Sequence, residues 1–325
     1  MSSRRHRVLP LSALLVILLV AVVPNHPVFA RTIPVTTIPV GDHPIAIAVD
    51  PRIHRAYVTN ANDGTVSVID TTINRVVATI PVGRYPSDIA VALNTNVVYV
   101  MNNNSSTVSV IETTTNTVVR TIRVGLFPNG IAVNPRTNRV YVANAGDNTI
   151  SVIDTVTLRV MTTISEAAGN TPVDVGVDPF AHTFYVANFD ARTVAVFDTT
   201  TNRLLTTIPV GKQARAIAVF PTIHRAYVAT EYAVSVIDTS TNSVVATIYE
   251  PDGTNDVAVN VDNGQVYVTN FGTFTVSVID SGTNTIVATI PVGPGAYGVG
   301  VDPEKPNQIY VANQGDKTVS VITGQ

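Results

Sequence analysis

The chain has 325 residues, with 20 Lys and Arg against 23 Asp and Glu and no cysteine. A net charge of −3 disfavours nucleic acid as a partner, because phosphates demand a basic footprint. Lack of cysteine excludes disulfides, thiolate metal sites and a thiol nucleophile, so packing and backbone pairing must hold the fold together.

The first element in chain order is a leader. Arg4, Arg5 and Arg7 make a basic start, Leu11 to Val23 form a 13-residue apolar run, and Val28-Phe29-Ala30 places small residues before a cut. That order is a secretory signal. A bilayer-spanning helix needs about 20 apolar residues, so the run is short for an anchor. Residues 1–30 are therefore expected to be a signal peptide, and residues 31–325 one mature domain, a monomer with no membrane span. The destination is the periplasm, the cell surface or the medium, by the general or the twin-arginine route. Loss of three cations leaves the mature chain 17 basic against 23 acidic residues.

The rest of the chain repeats. Tyr-Val-x-Asn recurs at Tyr57–Asn60, Tyr99–Asn102, Tyr141–Asn144, Tyr185–Asn188, Tyr267–Asn270 and Tyr310–Asn313, with a Thr-ended copy at Tyr227–Thr230. Successive tyrosines are 42, 42, 44, 42, 40 and 43 residues apart. Val-Ser-Val-Ile-Asp at 66–70 and Thr-Ile-Pro-Val-Gly at 79–83 recur in step with them. Each unit reads as four strands dense in Val, Ile and Thr, in the first unit Pro44–Asp50, His54–Asn60, Thr65–Asp70 and Asn74–Val82. Four antiparallel strands at this period predict propeller blades. The last unit lacks its fourth strand, and the orphan segment Thr32–Val40 matches Asn74–Val82 at an offset of 42. The two ends therefore complete one blade, which gives a closed all-β propeller of seven four-stranded blades and buries edges that would otherwise aggregate.

The Tyr-Val-Thr-Asn, Val-Ser-Val-Ile-Asp and Ile-Pro-Val-Gly blocks resemble the YVTN (YncE-like) β-propeller repeat family over residues 32–323. The resemblance implies an exported or cell-surface protein of a group mostly without assigned chemistry. Related propellers include lactonases, lyases and subunits of redox enzymes.

Residues that recur in every blade read as architecture. Val49, Val91, Val133, Val177, Val219, Val261 and Val301 share one position on the innermost strand. Ala48, Ala90, Ala132, Gly176, Ala218, Asn260 and Gly300 precede them, so a large face is set to meet a small one. Asp70, Glu112, Asp154, Asp198, Asp238 and Asp280 are placed to accept turn N–H groups, and the Asn of each block is read as a turn former. Gly293-Pro294-Gly295-Ala296-Tyr297-Gly298 fits a dinucleotide pattern but leads into a strand, and such a site needs a helix N-terminus. His54, His182 and His224 sit at one turn in three separate blades and do not converge on a metal.

Function is expected in the loops, since strands are committed to packing. The upper face, formed by the loops leading into each innermost strand and those joining the second and third strands, holds twelve acids against six cations. It suits a cation or a basic protein surface. At the channel mouth, one ring is read as His43, Tyr85, Phe127, Thr171, Gln213, Asn255 and Gly295. A second, two residues on, is read as Ile45, Ser87, Asn129, Val173, Arg215, Val257 and Tyr297, with Asp88 and Asp174 just below. These rings depart from the repeat and define the candidate ligand site: His43, Tyr85, Asp88, Phe127, Asn129, Asp174, Arg215, Asn255 and Tyr297. The expected function is an exported, non-enzymatic binding or scaffold propeller with an unidentified ligand and no cofactor assigned. Two alternatives stand: a lactonase- or lyase-like enzyme with His43 as base and Asp88 or Asp174 holding a metal, or an accessory subunit of an envelope redox enzyme.

Overall fold

The computed structural model describes residues 33–165, 170–250, 253–305 and 308–324. The expected leader, residues 1–30, and two upper-face acids, Glu166 and Asp252, lie outside them.

Seven four-stranded antiparallel sheets follow one another as blades, the first running Pro44–Asp50, Arg55–Asn60, Thr65–Asp70 and Arg75–Pro81 from the axis outward. The seventh is built from both ends of the described chain: Ala296–Asp302, Gln308–Asn313, Thr318–Thr323 and, outermost, Val35–Pro39. Val35 faces Ile322, Thr37 faces Ser320 and Pro39 faces Thr318, so the orphan strand closes the ring. In the other six blades the outermost strand carries a bulge at Val77, Val119, Met161, Leu205, Val245 or Val287. Bulges twist an exposed edge out of the flat geometry that would recruit another strand. The closing strand runs without one.

The apolar core is distributed. Seven clusters each straddle two neighbouring blades, such as Tyr57, Val66 and Val68 of blade one against Ile89, Val98 and Val100 of blade two. All seven repeat tyrosines are fully buried in these wedges. On the innermost strands the small residue of one blade meets the branched residue of the next. A Cβ on Gly176 would lie 2.9 Å from Val219, and one on Gly300 would lie 2.9 Å from Ile47. Ile38, on the closing strand, joins Tyr310 and Val319 of blade seven to Ile47 and Val58 of blade one.

Blade six requires a correction of two residues. Val259, not Val261, pairs with Val266 as Val49 pairs with Ala56, and Ala258 is the small residue before it. Asn260 is buried one place later, where its Oδ1 accepts the Asp262 N–H. The shift arises in blade five, whose second and third strands are joined by Glu231 and Tyr232 alone, where blade one uses residues 61–64. A step of 42 residues from Val219 therefore overshoots to Val261.

The Asn of the Tyr-Val-x-Asn block does more than form a turn. Asn60 and Asn102 are fully buried, and the Asn102 Nδ2 donates to Thr107 Oγ1 at 3.1 Å and Ser109 Oγ at 2.9 Å while its Oδ1 accepts Gly83 N–H at 3.0 Å. A Cβ on Gly83 would lie 2.5 Å from the Asn102 side chain, which explains the Gly of Ile-Pro-Val-Gly. Blade five has Thr230 for Asn and Ala233 for the Thr acceptor, so both partners are replaced together. The five third-strand aspartates behave as read, whereas Glu112 accepts the Thr115 hydroxyl: Asp154 Oδ1 accepts the Val156 and Thr157 N–H groups, and these bonds hold its carboxyl below the usual range.

Two stability outcomes follow. Truncating a buried Ile to Ala removes about 2–5 kcal/mol, and Ile38→Ala is expected to fall in that range in urea denaturation, because Ile38 secures the closure. Asn102→Ala strands three partners in a dry site, where each unmade bond costs about 1–3 kcal/mol. The variant should lose more stability than Thr72→Ala on an exposed turn, measured the same way.

Candidate functional site

Inner strands of all seven blades line one channel, and its upper end opens into a cavity of about 400 Å³. In six of the seven blades the residue before the innermost strand turns the chain with positive φ: His43, Tyr85, Phe127, Thr171, Gly253 and Gly295. Non-glycine residues occupy that left-handed region at a cost of about 1–2 kcal/mol, so His43, Tyr85, Phe127 and Thr171 are held there by their loops. The Ala61 N–H donates to the His43 carbonyl at 2.9 Å and the Asn103 N–H to that of Tyr85 at 3.0 Å.

Seven of the nine residues singled out from the sequence line the cavity: Tyr85, Asp88, Asn129, Asp174, Arg215, Asn255 and Tyr297. His43 stands beside it, with its Nε2 3.4 Å from the Tyr85 hydroxyl. Phe127 is 56 % exposed on the rim. Asn255 belongs to the second ring. Gly253 takes the His43 position in blade six, and Thr254 faces Asn270 as Pro44 faces Asn60. The second ring is therefore Ile45, Ser87, Asn129, Val173, Arg215, Asn255 and Tyr297, and Val257 is a buried core residue.

The same correction reveals a third inner aspartate. Asp256 in blade six is the counterpart of Asp88 in blade two and Asp174 in blade four. Each carboxylate bridges two blades. Asp88 accepts the N–H of Ile89 at 2.7 Å and of Ile131 at 2.8 Å. Asp174 does so with Val175 and Ile217, both at 2.7 Å, and Asp256 with Val257 at 2.8 Å and Val299 at 2.9 Å. The intervening blades place Gly130, Ala216 and Gly298 there. A Cβ on Gly298 would come within 2.2 Å of the Ile45 carbonyl of blade one. This glycine of the apparent dinucleotide pattern thus serves the approach of two blades.

The three carboxylates see water only through the channel, and protein encloses them elsewhere. Burial raises Asp88 to about 7 and Asp256 to about 6, against the pull of their backbone N–H bonds. Asp174 is pushed well up by burial and then by the charge of Asp88. Both effects disfavour the charged form. Arg215 is the cation of the mouth. Its guanidinium stacks on Phe189 at 5.4 Å, and among the described residues it makes no ion pair. Its buried Nε has no hydrogen-bond partner.

Arg215, Asn255 and Tyr297 also border a second cavity of about 380 Å³ on the upper face. Its walls include Tyr232 and Phe271, and Phe271 meets the Tyr297 ring edge-on at 6.3 Å. The two-residue turn of blade five supplies one wall of it, Glu231 and Tyr232. Several acids counted on the upper face secure loops: Asp63 Oδ2 accepts the Asp42 N–H at 2.7 Å, and Asp147 Oδ2 accepts the Leu126 N–H at 3.1 Å. Sequence reading missed Asp256, Phe189 and the second cavity. Counting eight residues back from Tyr267 would have placed Val259, and with it Asp256.

No family model matches the sequence, and no curated protein does. Among solved structures, the chain is similar to a chain of Kuenenia stuttgartiensis hydrazine synthase, with a TM-score of 0.79 and 20% identity over 87% of this chain and 96% of that one. At this identity the similarity is one of fold, and the fold defines the class: a seven-bladed, four-stranded β-propeller closed by its N-terminal strand.

The pH dependence of stability follows from the three aspartates. Their folded pKa values lie above the unfolded value of about 3.9, so the folded state holds protons more tightly. The linked stability is fully present below about pH 4 and is lost as pH rises through 6 and 7. Calorimetric melting between pH 4 and pH 8 should show a fall in midpoint that is smaller in Asp256→Asn than in the parent.

Proposed function

We propose that this chain is an exported, non-enzymatic binding propeller of the cell envelope or extracellular space, of the YVTN (YncE-like) repeat kind, that takes a small polar ligand at the mouth of its channel. One observation carries the reading. The positions that pack blades keep to the sevenfold pattern, whereas the ring around the cavity is Ile, Ser, Asn, Val, Arg, Asn and Tyr. A concave site with a few convergent polar groups among apolar walls is how proteins hold small ligands. Export rests on the basic, apolar and small-residue order of residues 1–30.

The metal-dependent hydrolytic alternative draws no support from the geometry. His43 does not line the cavity that Asp88 and Asp174 line, and its Nε2 faces the Tyr85 hydroxyl at 3.4 Å. Among the described residues no three His, Asp or Glu side chains are grouped to hold a metal ion. The hydrazine synthase similarity bears on fold alone and does not favour a redox partner.

A thermal-shift screen of small polar metabolites tests the proposal, with Tyr85→Gly and Asn129→Ala as reporters. Tyr85→Gly suits the left-handed backbone at this position, so it removes the side chain without straining the fold. Ligands that raise the midpoint of the parent are expected to lose at least tenfold in apparent affinity in both variants. Hits that protect the variants as well as the parent would place binding elsewhere and end the mouth reading.

A further inference from the structure

The channel cavity is lined by three carboxyl groups and a guanidinium and does not let them meet. Asp88, Asp174 and Asp256 surround it from alternate blades, and Arg215 lies in the ring of residues just before them in sequence. Among the described residues Arg215 has no carboxylate within ion-pair distance, although three carboxylates line the same cavity. Charged groups enclosed this way ordinarily pair, because an unpaired charge away from water is costly. Here each carboxylate is partly satisfied by two backbone N–H groups, which leaves a second lone pair on each oxygen for a donor in the channel.

Ser87 points to a ligand independently of the acids. It is 8 % exposed, it lines the cavity beside Asp88, and its hydroxyl has no hydrogen-bond partner. A buried hydroxyl left unbonded costs about 1–3 kcal/mol, and a donor arriving in the cavity would remove that cost. Arg215, three blades round the same ring, also has a buried nitrogen without a partner. Phe189 supports the face of its guanidinium, and its edge is left for a planar acceptor.

We infer that the cavity takes a small zwitterion, an organic amine that also carries a carboxylate, with the ammonium toward Ser87, Asp88, Asp174 and Asp256 and the carboxylate on Arg215. An ammonium brings three N–H donors and no acceptor, which matches a surround of lone pairs. The carboxylate accepts the two parallel N–H bonds that an arginine fork offers. Tyr297 and Asn255, which border both cavities, would flank the carbon chain between the two charges. This inference rests on the mouth being a binding site and adds the chemistry of the ligand.

Isothermal titration of the full chain with 4-aminobutanoate, 6-aminohexanoate and 8-aminooctanoate tests it, with hexylamine and hexanoate as single-charge controls. At least one amino acid of the series should bind tenfold or more tighter than either control. Arg215→Met should reduce that amino acid to the level of hexylamine, and Asp256→Asn should weaken both amines without affecting hexanoate. Ser87→Ala removes only an unbonded hydroxyl, so it keeps the fold and weakens the amines even if Asp256→Asn does not fold. Hexanoate binding as tightly as the best amino acid, no heat from any of the series up to 10 mM, or unchanged affinity in Arg215→Met would each overturn the inference. If the series fails while a screened ligand still depends on Tyr85 and Asn129, the mouth binds another chemistry. If that dependence is absent too, both readings fall.

Discussion

The antiparallel pairing of Val35–Pro39 with Thr318–Thr323 is the contact on which the molecule depends. Each apolar cluster lies between two blades, so an open row of seven blades would leave one face of blade seven and one face of blade one without a partner. Ile38 fills the wedge between those two blades and turns the row into a ring. No disulfide assists, since the chain has no cysteine. The ring is held by strand pairing and by burial of the side chains that pairing aligns.

Seven is an odd number, and the inner surface shows the consequence. Aspartates that bridge blades occur in two, four and six, each reaching forward to a neighbour with a small residue at the same place. Such alternation cannot close on an odd ring. Blades seven and one meet without a bridging carboxylate, and there Gly298 lets the backbones approach directly. The interfaces of blade one with two, three with four and five with six lack a bridging carboxylate as well, so the odd count sets two unbridged interfaces side by side on blade one.

A sevenfold scaffold carrying an asymmetric mouth separates two tasks. The buried asparagines, tyrosines and valines repeat because every blade solves the same packing problem. Arg215, Tyr297, Asn129 and Ser87 do not repeat, and the cavity gathers them from four blades. They come from the first residues of innermost strands, where a side chain faces the channel instead of a neighbouring sheet. The mouth can therefore change its chemistry while the blades keep theirs, which is how one fold hosts many functions.

The blade count, the four strands of each and the closure were all written in the order of residues, because β-pairing follows alternation and the missing last strand had one matching orphan. Much of the mouth was legible too, since positions that break a strict repeat stand out against those that keep it. What sequence alone left undecided is where a change of length is absorbed. Two residues are absent from the turn at Glu231 and Tyr232, and the pairing of Val259 with Val266 shows that blade six keeps its place and sets Asn255 and Asp256 in the channel. The bridging role of Asp88, Asp174 and Asp256 is tertiary for the same reason. Each one's second partner is a backbone N–H 43 residues away, brought near by closure of the ring and by no local preference of the chain.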